Sequence, residues 1–202
     1  MKKFLAFAFL ALTSSAALAD GWRDNYIGLR IHKNENIAFS YDINGGGAAT
    51  VRRDNFGLGA VIGNKLSDHV IIEFETAYTG AEQRKGITKY DYDVWANMFN
   101  MYLTQEFEGA ISPYAGIGIG FAGIWGDIKN PMIHISDTTF DLSYQAMIGV
   151  NFALNERIDF NLGLKYQYYG EIEHKKNGAE FATTDVSATE LYFGAAYKFD
   201  LK

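Results

Sequence analysis

Cysteine is absent from this chain of 202 residues, and proline occurs twice, at Pro113 and Pro131. The first absence removes disulfide staples, so stability has to come from packing and backbone pairing. The second removes the residue that most often interrupts a β-ladder. Basic charge is also scarce, with 18 Lys and Arg against 24 Asp and Glu. Two of the lysines, Lys2 and Lys3, sit in an N-terminal leader; without them the balance is 16 against 24, a net charge of −8. A nucleic-acid partner calls for a basic stripe, so the composition argues against one. The leader's apolar run, Phe4 to Leu12, is short. No other run approaches the roughly 20 residues that a membrane-spanning helix needs.

Lys2-Lys3, the short apolar run and Ala17-Leu18-Ala19 before Asp20 have the form of a secretory signal peptide over residues 1–19. The remaining chain, residues 20–202, reads as one domain. Aromatic residues make up 15% of the sequence, including 13 Tyr and 15 Phe. With few prolines, this composition suits a chain made mainly of strands.

Side-chain character alternates with a period of two along most of that domain. The first run sets Ile27, Leu29 and Ile31 against Tyr26, Gly28 and Arg30. Near residue 56, Phe56, Leu58, Ala60 and Ile62 oppose Gly57, Gly59, Val61 and Gly63; from 70, Val70, Ile72, Phe74, Thr76 and Tyr78 oppose Ile71, Glu73, Glu75, Ala77 and Thr79. Similar runs start near 95, 144, 158 and 190. An eighth, PYAGIGIGFAG at 113–123, sets Ala115, Ile117, Ile119 and Phe121 against Tyr114, Gly116, Gly118 and Gly120. Eight strands of about ten residues match a tilted membrane-crossing strand. Short connections at Asn64–Asp68, Glu108–Ser112 and Asn155–Arg157 alternate with long ones at Lys33–Asp54, Gly80–Tyr90, Gly126–Thr139 and Glu171–Ser187. This is the pattern of an all-β, eight-stranded antiparallel up-and-down barrel, with NGGGAAT at 44–50 as a loop tip.

The less apolar face decides which side is outside. It carries Gly, Ala, Asn, Gln, Thr and Tyr with a few charges of both signs, a poor coat for a soluble barrel and a good filling for a narrow one. Tyr78, Trp95, Tyr144, Tyr166, Tyr168 and Tyr197 stand toward the ends of the apolar face, as an interfacial belt requires. The leader, the eight alternating strands, PYAGIGIGFAG and the closing LYFGAAYKF together resemble the small eight-stranded outer-membrane β-barrel family of Gram-negative bacteria, whose relatives include OmpX, the OmpA barrel domain and Opa-like surface proteins. The resemblance implies residence in the outer membrane, among lipid and lipopolysaccharide. It also implies recognition by the barrel assembly machinery through the C-terminal strand. Family members commonly end on an aromatic residue; here Asp200-Leu201-Lys202 follow Phe199, and Tyr197 and Phe199 keep the spacing.

Parity turns Arg30, Glu73, Glu75, Lys165 and Glu190 inward, with Asp159 and Lys198 nearer the periplasmic rim. Buried charges must be paired. Glu190 on strand eight is expected to face Lys165 on strand seven and Arg30 on strand one, forming an interior plug rather than an ion path. Gly116, Gly118 and Gly120 are expected to leave room for Tyr102, Asn100, Gln145 and Met147 of the neighbouring strands. His134 and Ser136 have the spacing of a His-x-Ser pair found in lipid A deacylases of similar shape, yet no acid follows at a suitable place and the pair falls in an expected loop. The histidines at 32, 69, 134 and 174 are scattered, and none has convincing ligand spacing with another. No catalytic residue, metal or cofactor is therefore expected. Asp91, Asp93 and Asp127 flank long connections and could bind a divalent cation, though such acids are more often simply solvated. Arg52, Arg53, Arg84, Lys85, Lys175 and Lys176 could meet lipid phosphates. The expected role is that of an envelope structural or surface-interaction protein, adhesin- or antigen-like, whose loops could meet a host or surface ligand. A narrow porin-like channel is the alternative, and a lipid A-modifying hydrolase the third reading.

Overall fold

The computed structural model describes residues 25–43, 47–85, 88–105, 110–129, 134–176 and 179–199. The leader at 1–19, residues 44–46 of the glycine-rich tip and the tail at 200–202 lie outside them. Eight strands follow in order: β1 (Asn25–Ile43), β2 (Gly47–Ser67), β3 (Val70–Lys85), β4 (Thr88–Thr104), β5 (Ile111–Lys129), β6 (His134–Ala153), β7 (Ile158–Lys176) and β8 (Ala179–Phe199). Each pairs antiparallel with the next, and β8 returns to β1, so the sheet closes into a barrel. Closure leaves no free edge around the belt where lipid could offer no hydrogen bond.

Alternation places the side chains as the sequence requires. Leu29, Phe56, Leu58, Phe99, Leu103, Ile117, Phe121 and Ile148 are exposed on the outer wall. Arg30, Glu73, Glu75, Asn100, Tyr102, Gln145, Lys165 and Glu190 are buried within it. Such a surface would be unstable in water and is matched to lipid. Tyr78, Tyr144, Tyr166 and Tyr197 are half exposed on the same outer face, and Tyr144 stacks on Tyr168.

The short-turn end is tied by local polar contacts. Asn155 Oδ1 accepts from the backbone N–H groups of Arg157 at 2.8 Å and Ile158 at 2.9 Å, an Asx turn. Pro113 lies inside β5 opposite Val150; its carbonyl accepts from Gln105 N at 3.2 Å, and its missing N–H falls close to the strand start.

The long connections differ from the sequence expectation. Most of Lys33–Asp54, Gly80–Tyr90, Gly126–Thr139 and Glu171–Ser187 is strand, so the far end carries tall hairpins rather than loops. His134 accordingly opens β6, opposite Lys129, with Ser136 opposite Asp127. Above the belt, neither strand face has to be apolar, so the period-two signal fades while backbone pairing continues.

Pairing does not continue equally around the ring. The β1–β2 ladder runs out to Ile43 and Gly47, whereas the β2–β3 ladder stops at Gly57 and Thr79. The β5–β6 ladder reaches Lys129 and His134, whereas β6–β7 stops at Tyr144 and Tyr168. Among the described residues, the tall end is thus two four-stranded sheets, β7-β8-β1-β2 and β3-β4-β5-β6, parted by two seams. Side chains clasp the foot of each seam. Asn55 Nδ2 donates to Gly80 O at 2.8 Å across the first. Across the second, Ser143 Oγ donates to Tyr168 O at 2.6 Å, and Asp141 accepts from Glu171 N at 2.8 Å. The latter contact passes beside Gly170, whose φ of 121° disfavours a side chain, and whose added Cβ would lie 2.5 Å from Asp141.

Candidate functional site

The barrel interior is filled in three layers. At the short-turn end lies an open well of about 240 Å³, lined by Tyr26, Arg30, Glu73, Tyr102, Tyr114 and Asn161 among others. Lys198 Nζ sits 3.0 Å from Asp159 Oδ1 on its wall, near the rim where parity put both. Above the well comes the charged layer. At the hairpin end, Tyr92, Val94, Ala96, Met98, Ala122, Ile124, Tyr169, Val186 and Ala188 form an apolar cluster.

The charged layer is built from alternate residues of four strands. β1 supplies Arg30 and His32, β3 supplies Glu73 and Glu75, β7 supplies Lys165, and β8 supplies Glu190. Arg30 grips Glu73 through two parallel contacts, NH1 to Oε1 at 2.7 Å and NH2 to Oε2 at 2.8 Å, the planar fork that suits a carboxylate. Tyr26 and Tyr102 hydroxyls each donate to Glu73 at 2.8 Å, and Asn100 donates at 3.2 Å. Glu73 is thereby saturated. Glu75 lies 3.5 Å from Arg30 NH1 and 3.7 Å from Lys165 Nζ. Its Oε2 accepts from Asn100 at 3.3 Å and Gln145 at 3.4 Å. Lys165 Nζ lies 3.1 Å from Glu190 Oε2, and the Tyr169 hydroxyl donates to Glu190 Oε1.

Register explains one departure. Lys165 stands directly opposite Glu190, and the expected pair forms. Arg30, however, stands opposite Gly194, four residues from Glu190, and turns to Glu73 and Glu75 instead. The partner of Glu190 on β1 is His32, with Nδ1 at 3.0 Å. His32 Nε2 faces Glu75 Oε1 at 3.3 Å, so one ring spans two carboxylates. These are ion-pair separations without hydrogen-bond alignment. An imidazolium would set three cations against three carboxylates, whereas a neutral ring can donate from only one nitrogen. His32 was legible by parity, as the next inward position after Tyr26, Gly28 and Arg30.

The inward glycines stand beside this layer. A Cβ on Gly118 would meet Asn100 Oδ1 and Gln145 Cγ, and one on Gly116 would meet the Tyr102 ring. Gly120 differs, because its Cβ would meet the backbone carbonyl of Asn97. Met147 is the cross-strand partner of Gly116 and is buried with Tyr102, Tyr114 and Tyr192, although a Cβ at Gly116 would meet the Tyr102 ring first. Ser136 is exposed, and the side chain of His134 lies outside the described part, as do those of Arg52, Arg53, Arg84, Lys85, Lys175 and Lys176. Asp91 and Asp93 are half-buried on β4, and the Tyr78 hydroxyl donates to Asp93 Oδ1 at 2.6 Å. No cluster of metal-ligating side chains occurs among the described residues.

A family model described as "Outer membrane protein beta-barrel domain" matches residues 4–199. Solved structures of similar shape include Neisserial surface protein A, at 14% identity, covering 87% of this chain and 97% of that one with a TM-score of 0.62. OprG of Pseudomonas aeruginosa is similar at 14% identity, over 89% and 98% of the two chains, TM-score 0.57. Ail, the attachment invasion locus protein of Yersinia pestis, is similar at 14% identity, over 88% and 99%, TM-score 0.53. No curated protein matches the sequence.

Proposed function

We infer function from one premise: the chain belongs to the outer membrane protein beta-barrel domain family and resides in the outer membrane of a Gram-negative cell. The reading supported best is a plugged barrel that anchors four tall hairpins at the cell surface, where they serve envelope structure and surface contact. One observation carries it. The cross-section is occupied by buried groups that bind one another, from Arg30–Glu73 through Glu75 to Lys165–Glu190, beneath a mainly apolar layer whose polar members, Asn34, Thr79, Ser143 and Gln167, are bonded to protein groups. Eight strands enclose just enough room for side chains, so such a filling leaves no continuous aqueous path. The contacts that matter outside are with lipid, lipopolysaccharide and a ligand at the hairpins, and assembly proceeds through the C-terminal strand. The reading assigns no catalytic residue, no cofactor and no metal. Residues 1–19 serve in it as a signal peptide that is removed.

Planar-bilayer recording tests the plug. The refolded protein should give no stable single-channel steps. Steps that vanish on Glu190→Ala or Lys165→Met would replace the plug with a narrow channel. Surface contact is tested by replacing each hairpin with a short turn. Barrel mobility on a gel should persist while binding to cells or lipopolysaccharide falls.

A further inference from the structure

Asn97 puts a carboxamide on the wall that meets lipid. The outward residues of β4 run Trp95, Asn97, Phe99, Met101 and Leu103, and the last three are exposed. Thr76 of β3 and Phe121 of β5 stand opposite Asn97 on its two sides, with Ala60 of β2 beyond Thr76. Neighbouring polar groups are satisfied within the wall. Trp95 Nε1 donates to Thr76 Oγ1 at 2.8 Å, and the Tyr78 hydroxyl donates to Asp93 Oδ1 at 2.6 Å. The Asn97 side chain has no hydrogen-bond partner among the described residues. Acyl tails offer it none, and a polar group facing lipid is costly enough to mark a functional contact.

Depth narrows the partner. Trp95 stands opposite Tyr78 at the hairpin end of the belt, where aromatic rings sit at headgroup level. A strand rises about 3.3 Å per residue and tilts by about 35–45°, so Asn97, two residues further in, lies about 5 Å below that level. Acyl chains join their headgroup at this depth, in the outer leaflet. Chemistry narrows the partner further. A carboxamide has two N–H donors and an accepting oxygen. The ester link of a glycerophospholipid only accepts, so it leaves Oδ1 without a donor. An amide link or a hydroxyl on the chain both donates and accepts, and lipopolysaccharide carries such groups at the head of its acyl chains.

We propose that Asn97 is a lipid-binding site on the barrel wall, selective for an outer-leaflet lipid whose acyl chain starts at an amide link or bears a hydroxyl there, as in lipopolysaccharide. The inference rests on the outer-membrane reading and gives the lipopolysaccharide contact a position. One acyl chain lies against β4, its linkage bonded to the Asn97 amide. That amide is half-buried, whereas Phe99 and Phe121 beside it are 67% and 66% exposed, so a slim chain reaches it more readily than the rigid wall of a second barrel.

The full chain is placed in phosphatidylcholine nanodiscs, whose esters only accept, and titrated with lipopolysaccharide. The Asn97 side-chain NH2 resonances should move and saturate, and added phosphatidylglycerol should leave them in place. Asn97→Leu should weaken the apparent affinity about tenfold with gel mobility unchanged. Lipopolysaccharide that moves hairpin amides but not Asn97 overturns the site and leaves the surface reading standing; lipopolysaccharide that moves neither overturns both. Equal shifts with phosphatidylglycerol overturn the selectivity. Shifts that follow protein concentration without lipopolysaccharide assign the amide to a second copy and overturn the proposal. So does an Asn97→Leu variant that binds like the wild type. If that variant fails to fold, the wild-type signal decides alone.

Discussion

Glu75 touches more of the barrel than any neighbour in sequence would suggest. Its two oxygens face Arg30 and His32 of β1, Asn100 of β4, Gln145 of β6 and Lys165 of β7. Removing it leaves Arg30, His32 and Lys165 with two carboxylates, Glu73 and Glu190, in place of three. Breaking a buried pair from one side costs about 3–5 kcal/mol, whereas replacing both partners by apolar groups can be nearly neutral. Glu190→Ala is therefore expected to lower the temperature at which compact gel mobility is lost; an unchanged transition would reject the network. The double variant Lys165→Met/Glu190→Leu should lose less stability in a urea titration than either single change. Additive losses would mean that Lys165 and Glu190 act separately. Which residues point inward was legible, since parity needs only the sequence. Which inward residues meet was not, because that depends on strand stagger. The stagger brings His32 to Glu190 and leaves Arg30 opposite Gly194.

β5 shows what a strand can demand of its partners. Gly116, Gly118 and Gly120 all face inward, but the groups that approach them differ in stiffness. At Gly118 the obstruction is side chain, Asn100 Oδ1 and Gln145 Cγ, which can shift at the expense of the Asn100 bonds to Glu73 and Glu75. At Gly120 it is the backbone of Asn97, which cannot move without disturbing β4. Gly120→Ala should accordingly cost about 1–3 kcal/mol more than Gly118→Ala, read from urea midpoints in vesicles. Equal costs would show that β4 yields as easily as a side chain. Gly118→Leu exceeds what Asn100 can concede and should block folding; a variant that inserts and resists heat like the wild type would contradict the inward slot. The strands' apolar spans were readable because lipid enforces alternation. Their extensions were harder to read, because water wets both faces of a hairpin and the alternating IAFSYDI at 37–43 is cut off from the first run by a β-bulge between Asn34 and Ile37.

At the scale of the molecule, the charged layer and the seams divide stability between the two ends. The layer draws on β1, β3, β7 and β8, so its pairs are complete only when β1 has met β8. An open sheet in the membrane would carry unpaired charges, which makes closure cooperative. The hairpin end has no charged interlock and is held across its middle by apolar packing of Tyr169, Val186 and Ala188 with Tyr92, Val94 and Ile124. At the second seam, the Glu171 N–H is held by Asp141 rather than by a ladder partner on β6. Asp141→Ala should speed amide exchange at Glu171 while the amides of β7 beside Lys165 keep their protection; a uniform loss would mean that the seam and the belt open together. The seams also bear on how such a surface can diversify. Beyond the clasps and the apolar cluster that both sheets share, no backbone bond joins β2 to β3 or β6 to β7 in the described tall end, so the outer part of each sheet is a separate panel. A lineage under selection at its exposed tips can rewrite one panel without retuning the other, and both can drift while the belt below stays under constraint.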